Sequence, residues 1–410
     1  MEYFCPECNK LLFDREWCTD CNAKRFREEF KNWSSGNSSV DELIQNTQLT
    51  ANVTFEKLEW IPYNEFTEVE FLSKGGFGTV YKAFWEKGYI RYFDIEEGIW
   101  RRMPNEDVVL KSLNYSKDVT SEFFDEISYQ LKTSAANDGF MIPIYGVTQH
   151  PDTEDYVMVM AYSNKGSLRN YLNENYYELD LETKISLSFQ IASSLNEIHK
   201  LGFVHCDFHS GNVVLFELSG TLLTLITDFG LCKSVHQTSK NTIEGVIPYI
   251  APEVLTGQKY SQASDIYSFG IMMNEIVTGL PPYYNVSHDS KLTLQIVYKN
   301  LRPKIDTENT PRNFIQLIEK CWDKNPKNRP TAKEMYDILA SYVKNKITGK
   351  VEIWDQVKEI EKNSQKKTGF LEYDFHKEAF YTSRVVETLD DDLDFDDENT
   401  RDDDIIELDF

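Results

Sequence analysis

Between Thr183 and Lys200 the apolar residues Ile185, Phe189, Ala192, Leu195 and Ile198 recur every three or four positions. That spacing lines one face of an α-helix. The pattern then changes. Val213 to Phe216 and Leu222 to Thr227 are short apolar runs joined through Ser219-Gly220, which predicts a β-hairpin. Earlier in the chain, Leu72-Ser73-Lys74-Gly75-Gly76-Phe77-Gly78-Thr79-Val80-Tyr81 reads as strand, glycine turn, strand. Val108-Val109-Leu110-Lys111 is an apolar strand ending in a lysine, and Phe123-Phe124-Asp125-Glu126-Ile127 has helical character. The stretch from Tyr81 to Val108 is too long for a simple hairpin and predicts an insertion near Asp94-Ile95-Glu96-Glu97-Gly98. Thr331-Ala332-Lys333-Glu334 has the form of a helix capping box. Residues 351–367 predict a charged surface helix.

The 410 residues suit two to three domains. The expected division is a cysteine module over 1–30, a linker over 31–58 containing Ser34-Ser35-Gly36-Asn37-Ser38-Ser39, a main domain over 59–345, a helical extension over 346–386 and an acidic, disordered tail over 387–410. There are no internal repeats. The net charge is −24, and thirteen acidic residues against one arginine place half of it in the last 24 positions. An acidic body argues against nucleic acid as a partner, because phosphate contacts need Lys and Arg. No apolar run approaches the roughly 20 residues of a membrane span, and Met1-Glu2-Tyr3-Phe4-Cys5-Pro6 has no secretory signal character. The expectation is a soluble, cytoplasmic protein without membrane contact, the nucleus being open to it, in a reducing setting that suits its seven cysteines.

The strongest chemical signal is His205-Cys206-Asp207-Phe208-His209-Ser210-Gly211-Asn212, followed by Asp228-Phe229-Gly230. Four residues separate Asp207 from Asn212 and fifteen separate Asn212 from Asp228. Phosphoryl transfer uses such parts: one carboxylate to accept the attacking hydroxyl's proton, and an amide oxygen and a second carboxylate to hold magnesium on the phosphates. This stretch resembles the catalytic loop and metal-binding triplet of the eukaryotic protein kinases, of Ser/Thr or tyrosine-kinase-like type. The glycine loop, the strand lysine Lys111 and the helix glutamate Glu126 follow the same family order.

The resemblance implies an α+β fold of two lobes, a small β-rich one and a large helical one. It implies a protein kinase that moves the γ-phosphoryl group of ATP to a protein hydroxyl, Ser/Thr before Tyr, in intracellular signalling. Asp207 would orient the acceptor and take its proton; Asn212 and Asp228 would hold Mg; Lys111, paired with Glu126, would reach the α- and β-phosphates. Around the nucleotide it implies Ser73, Gly75, Gly76 and Gly78 at the phosphates, Val80, Val109 and Val214 on the adenine faces, Met160 at the back, and the backbone of Ala161 and Ser163 at the adenine edge. His205 would pack near Phe229. Glu253 would pair with Arg329, Asp265 would brace the catalytic loop, and Gly245 to Glu253 would receive the peptide substrate.

Several positions depart from the family pattern. Ser73 replaces the first glycine of the phosphate loop, and Val109 stands where alanine is usual. Cys206 replaces the arginine that binds an activation-loop phosphate, so Thr238, Ser239 and Thr242 lose their usual charge partner. His209 and Val246 replace the lysine and threonine that mark Ser/Thr specificity. These changes feed a rival reading, a pseudokinase scaffold that binds nucleotide or partners without efficient transfer; Lys111, Glu126, Asp207, Asn212 and Asp228, all kept, oppose it. A small-molecule phosphotransferase is opposed by the peptide-docking segment.

Cys5-Pro6-Glu7-Cys8 and Cys18-Thr19-Asp20-Cys21 form a C-x2-C pair of pairs, nine residues apart. Four thiolates suit a closed tetrahedral zinc site, and a ribbon this small would need the metal to fold. A redox pair is the alternative. This module, or the acidic tail, would serve as a docking site for a partner. The tail is otherwise an autoinhibitory mimic of an acidic peptide or, the default for a charge run, a solubilising end.

Overall fold

The computed structural model describes residues 3–74, 78–113, 121–135, 141–235, 243–346, 352–363, 371 and 373–387. The strands of the small lobe are β1 (Glu59–Trp60), β2 (Phe66–Lys74), β3 (Gly78–Trp85), β4 (Tyr89–Asp94), β5 (Ile99–Met103), β6 (Glu106–Leu113), β7 (Ile144–Gln149) and β8 (Tyr156–Ala161). Six of them form one sheet in the order β1-β7-β8-β6-β3-β2, antiparallel except where β1 runs parallel to β7. Helices α1 (Thr19–Glu29) and α2 (Ser38–Thr50) precede the sheet, and α3 (Ser121–Ala135) crosses it. Phe123 and Ile127 of α3 are buried against Val108, Leu110, Val147 and Met158, and this forms the core of the lobe.

Two expectations change here. The stretch 31–58 is more than a linker. Asn37 caps α2 by accepting from Ser39 N–H and Val40 N–H, and Val40 and Ile44 are fully buried in the small-lobe core. The serine-rich segment that suggests flexibility is the cap itself, because short polar side chains also serve helix starts. The predicted insertion is a separate hairpin, β4 with β5. It is covered by the cysteine module, whose Phe26 stacks on Trp100 at 4.5 Å between ring centroids. Trp17, fully buried, donates from Nε1 to Ala51 O at 2.8 Å.

Glu59 pins this hairpin. Its carboxylate accepts from Ile90 N–H at 2.9 Å and pairs with Arg102 at 2.6 Å and with buried Lys57 at 3.0 Å. Burial pushes Glu59 up, but the two cations outweigh it and hold the carboxyl below its usual range.

The large lobe is helical: α4 (Leu168–Asn175), α5 (Leu181–Lys200), α6 (Pro252–Leu255), α7 (Gln262–Thr278), α8 (Ser290–Tyr298), α9 (Arg312–Cys321), α10 (Ala332–Lys344) and α11 (Ile353–Asn363). Buried along nearly its whole length, α7 lies in the middle of the core. The predicted helix over 183–200 is α5, with Ile185, Ala192, Leu195 and Ile198 buried and Asp180 capping it. The capping box at Thr331 and Glu334 is formed. The charged helix is α11, which buries Ile353, Trp354 and Val357; residues 351 and 364–367 of the predicted stretch lie outside the described residues.

Short strands β9 (Phe203–Val204), β10 (Val213–Leu218), β11 (Thr221–Ile226), β12 (Lys233–Ser234), β13 (Ile243–Gly245) and β14 (Arg384–Val386) surround the junction of the lobes. The predicted hairpin is β10–β11. Ser219 and Gly220 sit at φ 51° and 79°, the double left-handed turn that matches strand twist. Near the chain's far end, β14 pairs antiparallel with β13, matching Arg384 to Gly245 and Val386 to Ile243. Most of the acidic tail, 388–410, lies outside the described residues. Among the described residues no helix is long and apolar enough to cross a membrane.

Glu59→Ala leaves Lys57 buried beside Arg102 without a counter-charge. The expected cost is about 3–5 kcal/mol, read as a lower midpoint of urea unfolding at pH 7; a shift worth under about 1 kcal/mol would show that Glu59 carries little of the lobe.

Candidate active site

Strand β6 brings Lys111 to the junction of the lobes, α3 brings Glu126, and the turn after β11 brings Asp228. Lys111 Nζ donates to Glu126 Oε1 at 2.6 Å and to Asp228 Oδ1 at 2.8 Å. Burial alone would lower the lysine, but the two carboxylates outweigh it and raise it well above its usual range. Burial raises Glu126 despite Lys111, whereas at Asp228 burial is outweighed by Lys111 and the carboxyl is held low. The triad therefore keeps Asp228 ionised and ready for a cation.

Asp207 and Asn212 lie in the loop between β9 and β10, residues 205–212. Asn212 Nδ2 donates to Asp207 O at 2.9 Å and to Asp207 Oδ2 at 3.2 Å. With the amide nitrogen committed, the amide oxygen is the atom Asn212 would offer a metal. Thr227 N–H donates to Asn212 O at 2.9 Å, which ties this loop to the residue before Asp228. Asp228 and Cys206 both have left-handed backbone, at φ 64° and 67°.

The loop is held from behind. Asp265 accepts from His205 N–H at 2.9 Å and Cys206 N–H at 3.2 Å, and pairs with His199 at 2.8 Å. His205 packs at 5.3 Å from the Phe229 ring. Its Nδ1 accepts from Asp207 N–H at 3.4 Å, so its Nε2 carries the proton toward Thr227 O at 3.2 Å. Burial lowers its pKa and keeps the ring neutral. Arg329 forms a two-pronged pair with Glu253 at 2.6 and 2.7 Å.

At the substituted positions, Cys206 is buried with its thiol toward Val204 O at 3.5 Å. His209 Nδ1 accepts from Gly211 N–H at 3.0 Å, which leaves Nε2 facing Asp207 Oδ1 at 3.6 Å. Val246 is buried next to the end of β13.

Of the nucleotide residues, Val80, Val109 and Val214 are half-buried, while Met160, Ala161 and Ser163 are buried. Ala161 N–H is taken by Pro143 O at 3.0 Å, so its carbonyl is the group it can offer an adenine edge. Ser163 Oγ donates to Leu215 O and turns inward. Ser73 is exposed on β2 opposite Val80, and Gly78 opens β3. Gly75 and Gly76 lie outside the described residues, as do Thr238, Ser239 and Thr242.

Four residues whose roles motif reasoning misses support the loop: Ser210, Tyr249 and Glu275, all buried, and half-buried Arg169. Ser210 Oγ and Tyr249 OH donate to the two oxygens of Glu275 at 2.8 and 2.5 Å, and Arg169 lies 3.7 Å from it. A glutamate set among Met272, Met273, Ile276 and Val277 in one helix was the available signal. A further partner comes from far along the chain: Ser383 Oγ donates to Asp207 Oδ2 at 2.5 Å.

In the cysteine module, Cys5 and Cys21 sulfurs lie 3.8 Å apart and those of Cys8 and Cys18 3.6 Å, all four within 4.8 Å of one another.

A profile of the family described as protein tyrosine and serine/threonine kinase matches residues 66–339. A probable serine/threonine-protein kinase gdt4 of Dictyostelium discoideum is 28% identical over 307 residues, covering 74% of this chain and 17% of that protein. Stress-activated protein kinase alpha of the same organism is 28% identical over 311 residues, 72% of this chain and 44% of the relative. Mouse mitogen-activated protein kinase kinase kinase 10 is 28% identical over 296 residues, 66% and 27%. The chain thus spans less than half the length of these relatives.

Because His205 is buried neutral, the unfolded chain takes up a proton below its ordinary pKa of about 6.5 that the folded chain refuses. Stability contributed by this group is complete above that pH and is lost as pH falls, by at most about 1.4 kcal/mol per unit. Nitrogen NMR should show Nε2-protonated His205 with a midpoint below 6.5; a higher midpoint would contradict the packing.

Proposed function

The chain belongs to the protein tyrosine and serine/threonine kinase family, and on that premise we propose that it transfers the γ-phosphoryl group of ATP to a protein hydroxyl, serine or threonine before tyrosine. The observation that carries this is a pair of hydrogen-bonded groups, Lys111 with Glu126 and Asp228 across the lobes and Asp207 with Asn212, joined by the backbone bond from Thr227 N–H to Asn212 O next to Asp228. The serine/threonine names of the relatives support the acceptor preference.

In this reading Lys111, oriented by Glu126, holds the nucleotide's phosphates. Asn212 and Asp228 hold magnesium, which when bound neutralises charge gathering on the transferred group. Asp207 positions the acceptor hydroxyl and takes its proton. His205, neutral and facing away, takes no part in proton transfer. Burial of Cys206 fits activity that does not wait for a phosphate on 238, 239 or 242. A scaffold that only binds partners has no use for an ionised Asp228 and an oriented Asp207 side by side, which is why transfer is preferred over the pseudokinase reading.

We also assign zinc to Cys5, Cys8, Cys18 and Cys21. A tetrahedron with Zn–S bonds of about 2.3 Å has edges of about 3.8 Å, and the two close sulfur pairs lie at 3.8 and 3.6 Å. Seated on the inserted hairpin, the module serves as a docking element for a protein partner. Free thiols throughout the described residues suit a reducing, cytoplasmic setting.

Two measurements test these assignments. Asp207→Asn should reduce phosphate transfer from labelled ATP to a generic protein acceptor by about a thousandfold or more, with nucleotide affinity nearly unchanged; equal activity would remove the kinase reading. The purified chain should carry about one zinc, and chelation should expose Trp17 and shift its fluorescence to the red. A metal-free chain with Trp17 still buried would reject zinc.

A further inference from the structure

We propose that Ser383 is the chain's own substrate: residues 378–387 lie in the acceptor groove as a tethered peptide, and Ser383 is phosphorylated in cis. The inference rests on the kinase reading above and goes beyond it to a modification site.

Three observations place the segment. First, β14 adds to β13, immediately before Val246 and the segment expected to receive peptides, in an antiparallel register that puts Arg384 opposite Gly245. Strand addition to an exposed edge is a common way to hold an extended peptide, with backbone bonds giving affinity. Second, Tyr381 anchors the segment. Its ring lies 4.6 Å from the Arg169 guanidinium and 4.9 Å from the His288 ring, and its hydroxyl donates to Pro282 O at 2.8 Å. Arg169 also donates to Tyr381 O at 3.0 Å, and His288 N–H to Glu378 O at 3.0 Å. Third, between anchor and strand, Ser383 Oγ donates to Asp207 Oδ2 at 2.5 Å and lies 3.5 Å from His209 Nε2.

The segment carries three neighbouring hydroxyls, on Tyr381, Thr382 and Ser383. Tyr381 is spent on Pro282 and Thr382 is exposed. Only Ser383, among the three, meets the carboxylate that would take its proton. A surface loop resting on the site by chance needs neither the strand pairing nor a hydroxyl at this one atom.

The step balances with a nucleoside triphosphate as co-reactant. Ser383 Oγ bonds to the γ-phosphorus, the bond from that phosphorus to the β–γ bridging oxygen breaks, the diphosphate leaves with the electron pair, and the serine proton goes to Asp207. The product carries close to two negative charges beside Asp207. Like-charge repulsion then loosens the strand and frees the groove for other proteins.

The test uses the full chain with magnesium and ATP. Tryptic peptide 378–384 is read by mass spectrometry, beside labelled transfer to a generic protein acceptor. Expected are one phosphate on Ser383, absent in Ser383→Ala and kept in Thr382→Ala, and a first-order rate unchanged over a hundredfold dilution of the chain. Tyr381→Ala should slow Ser383 phosphorylation at least tenfold and lower KM for the external acceptor at least threefold. Independently of activity, hydrogen exchange of the 384–386 amides in the nucleotide-free chain should be slow, and at least tenfold faster in Tyr381→Ala. External transfer with no phosphate on Ser383, or a Ser383 rate proportional to chain concentration, overturns this proposal and leaves the kinase reading standing. No transfer to any acceptor overturns both.

Discussion

Two carboxylates share one buried ammonium at the centre of this molecule. Lys111 lies between Glu126 and Asp228, which belong to different lobes. Such a group is costly to bury and contributes little net stability. What it does is fix positions, because three separate segments, one of them 117 residues from the lysine, must stop where their charges meet. It also leaves an excess of negative charge. With Asp228 held ionised and Asp207 a few bonds away through Asn212, the cleft is set to gain most from cations and the phosphates they carry.

That geometry depends on a strained loop. Cys206 and Asp228 hold left-handed backbone, a conformation costing of order 1–3 kcal/mol for a non-glycine residue. The surrounding lobe offsets this. Asp265 takes two consecutive N–H groups of the loop, His205 bonds from one side to Asp207 N–H and from the other to Thr227 O, and Glu275 gathers Ser210 and Tyr249. Each partner is a buried polar group satisfied by backbone or by another buried side chain, so the loop has few alternative arrangements.

Two additions surround this machinery. At one end the cysteine module and the β4–β5 hairpin complete each other: Trp17 and Phe26 have no core of their own, and Trp100 would otherwise be exposed. At the other end residues 378–387 pair with β13 and hold a serine against Asp207, with contacts to Arg169 and His288. One addition is built from aromatic burial, the other from strand pairing and a single aromatic anchor.

Local pattern alone settled much of this protein. The α5 face, the Ser219-Gly220 hairpin and the Thr331 capping box could be read because each depends on neighbours within a few residues, where helical period and turn chemistry act directly, while Asp207, Asn212 and Asp228 were singled out by the resemblance of their order and spacing to a family pattern. Residues 31–58 misled, since a helix cap and a flexible linker use the same short polar side chains, and only the buried Val40 and Ile44 distinguish them. The tertiary structure alone decided what lies at long range: Glu275 under the catalytic loop, Trp17 on the inserted hairpin, and Ser383 beside an aspartate 176 residues away. Nothing in a serine's local sequence records which groove its strand will pair into, because that choice is made by the energy of contacts that exist only after the chain has folded.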